Sequence, residues 1–288
     1  MLEFEPPIFI IGLSRSGTTI LYRLFTSHKD TSYPEYYSSK FYKHPWMFRF
    51  ISLAMKYRKK RYKITRPIPK QGRIWSRFYS PYDYLDESMV TKDIKNYYDK
   101  AIKYQLKAFK ATRFVSKNPR DCLRIRWLDA MYPNAFYIII SRDKKSVLSS
   151  MYQKIQKKKK KWNAKFPGKS NELLGYLDIK KVIGMNYSEM EACIGHYEYH
   201  KKSLEKDLPK IKDRTIIIEY EELVKDPRNM IKKLYKFVNL EWYDELNKQI
   251  PERLELTNNK KWESLPQDEK KILLEYTENN RTPDKKLG

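Results

Sequence analysis

Cysteine is nearly absent: Cys122 and Cys193 are the only two in 288 residues, far apart and without metal-ligand spacing. The sequence therefore predicts no disulfide framework, and it suits a reducing compartment. No run approaches the ~20 apolar residues that a membrane helix requires. The stretch Met1–Pro7, with two glutamates and two prolines, lacks the basic start and longer apolar core of a signal peptide. A soluble, cytoplasmic protein is expected, with peripheral contact to a membrane surface left open. Acidic residues are also scarce. Against 60 Lys+Arg there are 35 Asp+Glu, a net charge of +25 that favours anionic partners. Nucleotides, nucleic acid, acidic glycans and anionic headgroups all qualify, and a lysine-rich surface that is merely solvated gives the same number. There is no internal repeat and no linker rich in glycine, proline or serine, so residues 1–288 read as a single domain.

What is present is a globular composition, with 41% hydrophobic residues spread along the chain. Pro7–Gly12 (PIFIIG) is a short apolar run ending at glycine, the pattern of a buried parallel strand, and Thr18–His28 has helical spacing in Ile20, Leu21, Leu24 and Phe25. Phe114–Ser116 is a weaker strand, followed by a helix with Leu123, Trp127, Leu128 and Met131. Ala135–Ser141 (AFYIIIS) is the strongest strand signal, and a helix follows from about Lys144. Arg214–Ile218 is another strand, and Pro227 opens a helix that continues through Ile231, Leu234, Tyr235 and Val238. This alternation predicts an α/β fold of three layers, a mostly parallel sheet with helices on both faces. The aromatic, basic, proline-broken segment at about 36–98 reads as a helical or irregular insertion that covers the sheet edge and shapes an acceptor pocket.

The chemistry begins at Gly12-Leu-Ser-Arg-Ser-Gly-Thr-Thr19, which has the spacing of a Walker A phosphate loop and follows a strand. Backbone N–H groups at Ser16, Gly17, Thr18 and Thr19, with the helix dipole, would cradle an anion. The Walker lysine is missing: Thr18 occupies its position, and the loop's cation is Arg15. Such a loop suits a 5′-phosphate carrying one group to transfer, without a metal to bridge phosphates. Without a ligand it would be a glycine-bounded turn.

Ile10–Leu21 (IIGLSRSGTTIL) resembles the 5′-phosphosulfate loop of sulfotransferases that use 3′-phosphoadenosine 5′-phosphosulfate (PAPS). It is closest to the broad bacterial group and the protein-tyrosine sulfotransferases, which have R-S-G-T-T there. The same family holds the cofactor's 3′-phosphate with an Arg ending a strand and a Ser eight residues later. Here Arg142 ends AFYIIIS and Ser150 lies at that offset. Arg142 can grip a phosphate with two parallel hydrogen bonds at the carboxyl end of a strand. An Arg142–Asp143 surface pair and a packed serine are the structural alternatives, and Ser149 could replace Ser150. Further matches are FVSKNP (114–119) with WLDAMYP (127–133), and IEYEELVKDP (218–227), which includes Tyr220, with FVNLEW (237–242). The resemblance implies the P-loop nucleotide-hydrolase-like sulfotransferase fold, PAPS as donor and 3′-phosphoadenosine 5′-phosphate (PAP) as product.

It also implies roles. Arg15 and Lys117 would meet the charge at the leaving and bridging oxygens, and Glu35 would take the acceptor's proton. His28 is the rival base, whereas His44, His196 and His200 lack the context. Tyr220 joins the cofactor-binding set, and Lys260 and Lys261 in NNKKWESL are further phosphate contacts. No metal is called for. The five lysines Lys157–Lys161, at the end of the helix after Arg142, are a solvated face or a collar for an anionic acceptor. Pro45–Arg61 is a core helix of the insertion or an interfacial helix. The acceptor is a hydroxyl on a carbohydrate, lipid headgroup, peptide tyrosine or small molecule. The rival functions are a P-loop kinase or NTPase, which the absent lysine disfavours, and a basic nucleic-acid-binding protein, which the dispersed charge disfavours.

Overall fold

The computed structural model describes residues 4–34, 41, 43–44, 46–47, 50, 71–165, 188–255 and 259–279, without the side chains of 71–73, 161–165, 259–260 and 279. The chain divides into two compact units: Met1–Leu13, Gly17–Ser141 and Ser203–Glu255 in the first, and Ser14–Ser16, Arg142–Lys202 and Leu256–Gly288 in the second.

The first unit holds a five-stranded sheet of β1 (Ile8–Ile11), β2 (Thr31–Ser32), β3 (Arg113–Lys117), β4 (Phe136–Ser141) and β5 (Thr215–Glu219). The order is β2-β3-β1-β4-β5, and every pairing is parallel, with Ile8 beside Val115 and Phe136, and Ile140 beside Ile218. β1 is apolar at all four positions, and β4 from Phe136 to Ile140, because both faces are covered. Phe9, Ile11, Phe114, Tyr137 and Ile139 pack with α2 (Lys92–Phe109) and α3 (Ile125–Met131) through Tyr98, Ile102, Trp127 and Leu128. Ile8, Ile10, Val115, Ile138 and Ile140 pack oppositely, with Leu21, Leu24 and Phe25 of α1 (Thr18–Phe25). Leu223 of α6 (Tyr220–Lys225) and Leu234 of α7 (Pro227–Phe237) complete that face. The predicted three-layer α/β architecture is what forms.

The second unit contains α4 (Lys144–Lys165), the start of α5 (Glu189–Ile211), a 3-10 turn (Asn259–Ser264) and α9 (Gln267–Asn279); a short α8 (Glu245–Gln249) belongs to the first. Val147, Leu148 and Met151 of α4, Cys193 and Ile194 of α5, and Leu273 and Tyr276 of α9 are buried. Glu269 accepts from Ser188 Oγ at 3.2 Å and from Met190 N–H at 2.9 Å, tying α9 to the first turn of α5. Gln153 of α4 donates to the Lys261 carbonyl at 3.3 Å and so docks the 3-10 turn on this helix.

Several boundaries depart from the sequence reading. The helix expected to reach His28 stops at Phe25, where Thr26 and Ser27 bond back to the carbonyls of Tyr22 and Arg23 at 2.7 and 3.2 Å. Leu123 closes a 3-10 turn begun at Pro119, and the α-helix starts only at Ile125. The lysine run lies inside α4, which continues to Lys165, and Lys159 is paired with Glu189. Of the 36–98 insertion, 71–98 is described and holds 3-10 turns at Gln71–Ser76 and Glu87–Met89 and the start of α2, whereas most of Pro45–Arg61 falls outside the described residues. Among the described residues no helix is long and apolar enough to cross a membrane.

Candidate active site

In the first unit, Gly17 is the N-cap of α1, with φ 98° in the left-handed region. Its carbonyl accepts from Ile20 and Leu21 N–H at 3.0 and 3.2 Å, which starts the helix. A Cβ added at Gly17 would stand 2.3 Å from Cδ2 of Tyr220, so this position needs glycine twice: for its φ and for its neighbour. Tyr220, the first residue of α6, is buried beneath the turn. The following residues, Thr18 (buried) and Thr19 (exposed), present the unbonded N–H groups of the helix's first turn, which contains no acidic residue to compete for them. Lys117 ends β3 beside Ile10 of β1 and donates to Thr19 Oγ1 at 3.3 Å. These groups stand at the carboxyl ends of adjacent parallel strands, where open α/β sheets bind ligands.

The second unit has cations of its own. Arg15 has φ 76°, an uncommon conformation for a residue with a Cβ. Its Nε donates to Ser150 Oγ at 3.0 Å, and Arg142 donates to the Arg15 carbonyl at 3.3 Å. Arg15 thus touches both Arg142 and Ser150, more than 120 residues away in sequence. Although Arg15 reaches the surface, desolvation and then the like charge of Arg142 push its pKa below the ordinary arginine value. Lys261 is lowered in the same way, by burial first and then by Arg15, Arg142 and Lys157. Every charge acting on Lys261 is positive. Ser16 Oγ is buried and has no hydrogen-bond partner among the described residues. Asp143 does not serve as Arg142's counterion in a surface pair; its carboxylate accepts from Ser146 N–H at 2.7 Å and caps α4. Ser149 Oγ donates to the Ser146 carbonyl at 3.2 Å, which leaves Ser150 as the serine on Arg15.

The remaining candidates divide. His28 is a packed residue: it is buried, Nε2 lies 2.8 Å from the Glu241 carbonyl, and Nδ1 accepts from Asp30 N–H at 3.1 Å. Tyr235 and Tyr243 flank its ring. Glu35 lies outside the described residues, and Lys260 falls in the 3-10 turn Asn259–Ser264 with its side chain outside them. Lys261, only a secondary candidate from sequence, is the lysine that faces Arg15 and Arg142. Asp121 was not anticipated at all: a fully buried carboxyl, one turn after Lys117, raised to about 7 by burial. The signal for it was the spacing Lys-Asn-Pro-Arg-Asp, which reads equally well as a surface turn.

In the first unit the bare turn at Gly17 suits an anion, and in the second the orphan hydroxyl of Ser16 with the cations Arg15, Arg142 and Lys261 suits a phosphate-bearing ligand. Comparison with known proteins agrees in kind. The protein-tyrosine sulfotransferase 1 of Danio rerio is 22% identical over 245 residues, covering 83% of this chain and 54% of that protein. The protein-tyrosine sulfotransferase of Drosophila melanogaster is 21% identical over 246 residues, covering 83% and 39%. The chain thus spans about half, or less, of the length of these curated relatives. A sulfotransferase from Mycobacterium tuberculosis superposes with a TM-score of 0.57 at 15% identity, over 96% of this chain and 78% of that one. The sulfotransferase domain of the curacin biosynthetic pathway gives 0.52 at 14%, over 94% and 96%. At such identities the likeness is one of fold, a central parallel sheet flanked by helices. The sequence profile of the sulfotransferase family matches residues 6–244, most of the chain. With that match over most of its length, the chain belongs to the sulfotransferase family.

Proposed function

We propose that residues 1–288 act as one catalytic domain that transfers the sulfuryl group of PAPS to an acceptor hydroxyl. The observation that carries this reading is the Arg15–Ser150 hydrogen bond, with Arg142 on the Arg15 carbonyl. It joins the phosphate loop to the segment expected to hold a second phosphate. A triphosphate site has no need of that second place, and the Walker lysine that would serve a triphosphate is absent.

When bound, PAPS supplies a sulfuryl group already activated by a phosphate leaving group. The chain's contribution is position and charge. Ser16, Gly17, Thr18 and Thr19 are assigned to the 5′ end, with Arg15 at the oxygen that gains charge. Arg142 and Ser150 are assigned to the 3′-phosphate, with Lys260 and Lys261 as further contacts. Tyr220 supports the loop under Gly17. Lys117, held on Thr19, is assigned to the sulfuryl and bridging oxygens. Glu35 is the proposed base for the acceptor's proton. A peptide tyrosine is one acceptor class to try first, given the names of the relatives; carbohydrate, lipid headgroup and small-molecule hydroxyls follow. Two buried free thiols, Cys122 and Cys193, suit the cytoplasm proposed as compartment.

Calorimetry tests the reading directly. PAP should bind at about micromolar Kd or tighter without Mg²⁺, and neither ATP nor an oligonucleotide should compete well. Tight, Mg²⁺-dependent ATP binding with weak PAP binding would transfer the site to the kinase reading. Glu35→Gln should lower turnover by at least about a hundredfold while PAP affinity holds; near-wild-type turnover would move the base elsewhere.

A further inference from the structure

The amino edge of the sheet, opposite the edge that carries Lys117 and Gly17, holds a cavity of about 960 Å³. Three segments that the parallel sheet brings together form its walls. They are the entry to β1 at Phe4, Glu5 and Pro6, the end of α2 with the turn into β3, and Asn134 ahead of β4. All belong to the first unit. β1, β3 and β4 are four, five and six residues long. At about 3.3 Å per residue they set this cavity roughly 13–20 Å from the carboxyl edge.

The lining has two characters. Phe4, Leu106 and Ala111 are apolar; Leu106 is buried, and the Phe4 ring leans on Tyr132 with 6.2 Å between centroids. Lys103, Lys107 and Lys110 come from the last turns of α2 and its cap, at the spacing of one helix face. Lys107 and Lys110 are exposed, so the ammonium groups form a rim over an apolar floor. Glu5 is the one carboxylate among the lining residues, and it lies 3.7 Å from the guanidinium of Arg113. Arg113 is buried and also donates to the Pro6 and Val238 carbonyls, at 3.0 Å each. The charge of Glu5 is thus met by Arg113 and does not offset the lysines. Among the described residues, neither Lys107 nor Lys110 has an ion-pair partner. A helix C-terminus favours cations by itself, which accounts for two charges there. It accounts neither for the cavity nor for the apolar floor beneath them.

We propose that this cavity is a second ligand site, for a small amphiphilic anion: an apolar chain or ring that ends in a carboxylate, sulfate or phosphate. The apolar body replaces water over Phe4, Leu106 and Ala111. The head meets the ammonium groups of Lys107 and Lys110, with Lys103 one turn further back along α2. The lysine stems lengthen the apolar wall before the charge is reached. The volume is that of sites that take small molecules by apolar area and orient them with a few polar groups. No residue assigned to PAPS or to the acceptor lines it, so the site is independent of the transfer chemistry.

Octanoate, near neutral pH, is the probe. Calorimetry should give a Kd of about 0.1 mM, and butyrate should bind at least about thirtyfold more weakly, because each buried methylene is worth about fourfold in affinity. Octanol, which has no charge, should bind about tenfold more weakly than octanoate. Saturating octanoate should slow the acetylation of Lys107 and Lys110 by acetic anhydride about threefold, read by peptide mass spectrometry, and leave that of Lys117 unchanged. Lys107→Met combined with Lys110→Met keeps the stems at the surface and removes the charges. It should raise the octanoate Kd about tenfold and leave PAP affinity within about twofold. No octanoate binding up to about 5 mM, an unchanged Kd in the double variant, or lysines left unprotected overturns the proposal. Octanol binding as tightly as octanoate overturns it as well, because the cavity would then have no use for charge. Protection of the lysines by octaglutamate and not by octanoate would replace the amphiphile with an acidic peptide. None of these readouts uses turnover, so they stand or fall apart from the sulfotransferase reading.

Discussion

The residues of the loop after β1 fall in two units of opposite character. Gly17, Thr18 and Thr19, in the first unit, sit on an apolar base. Their helix packs by Leu21, Leu24 and Phe25, and the ring of Tyr220 fills the space a side chain would take. Arg15 and Lys261, in the second, hold their protons less tightly than usual, through burial first and then through like charge. The first region is stable by its own packing. On the proposed reading, the second costs folding free energy that a bound anion would return as affinity.

Three substitutions sharpen this contrast. Arg142→Ala should weaken PAP binding about a hundredfold and adenosine 5′-phosphate binding less than about threefold, read by calorimetry, because a paired arginine–phosphate contact is among the stronger hydrogen bonds. Equal losses for both nucleotides would remove the 3′-phosphate from Arg142. Gly17→Ala acts in the packed region and should cost about 2–3 kcal/mol in denaturant unfolding, part from the positive φ and part from the contact with Tyr220. Adding Tyr220→Ala should restore only the contact part. The smallest effect carries the clearest sign. Lys261→Gln should raise the melting temperature of the ligand-free protein at neutral pH and lower PAP affinity about fivefold. The folded pKa of Lys261 lies below its ordinary 10.5, so the folded state binds fewer protons here than the unfolded one. The cost is full below the folded pKa and is relieved as pH rises through it. The difference between variant and wild type should therefore shrink toward high pH; a difference that grows would refute the repulsion.

Much of the fold was legible where local pattern and burial agree. β1 and β4 are apolar at successive positions, as strands covered on both faces must be, and the glycine after β1 marked the loop. Legibility failed where the signal was present but crowded. Residues Ile94, Tyr98, Ala101, Ile102, Gln105 and Leu106 form a buried stripe on α2, behind the helix-capping hydroxyl of Thr91. Among crowded tyrosines and lysines, Ile94 and Tyr98 read as part of the helical or irregular insertion at about 36–98, and Ala101–Leu106 as no element. The 23-residue α5 contains Pro209 and a weak apolar face, so nothing in its pattern announced a helix. His28 looked like a base because its packing partners, Tyr235 and Tyr243, lie more than 200 residues away.

The sequence alone determined the strand–loop–helix that begins the chain, the absence of the Walker lysine, and the offset of Ser150 from Arg142. These are properties of neighbouring residues, and spacing along a strand or helix preserves them. Tertiary structure decided which charges face each other. It put Ser150 on Arg15, gathered Lys261 with Arg15 and Arg142, and buried the carboxyl of Asp121. Burial and proximity across distant segments set the strength of a charge, and no local pattern encodes either.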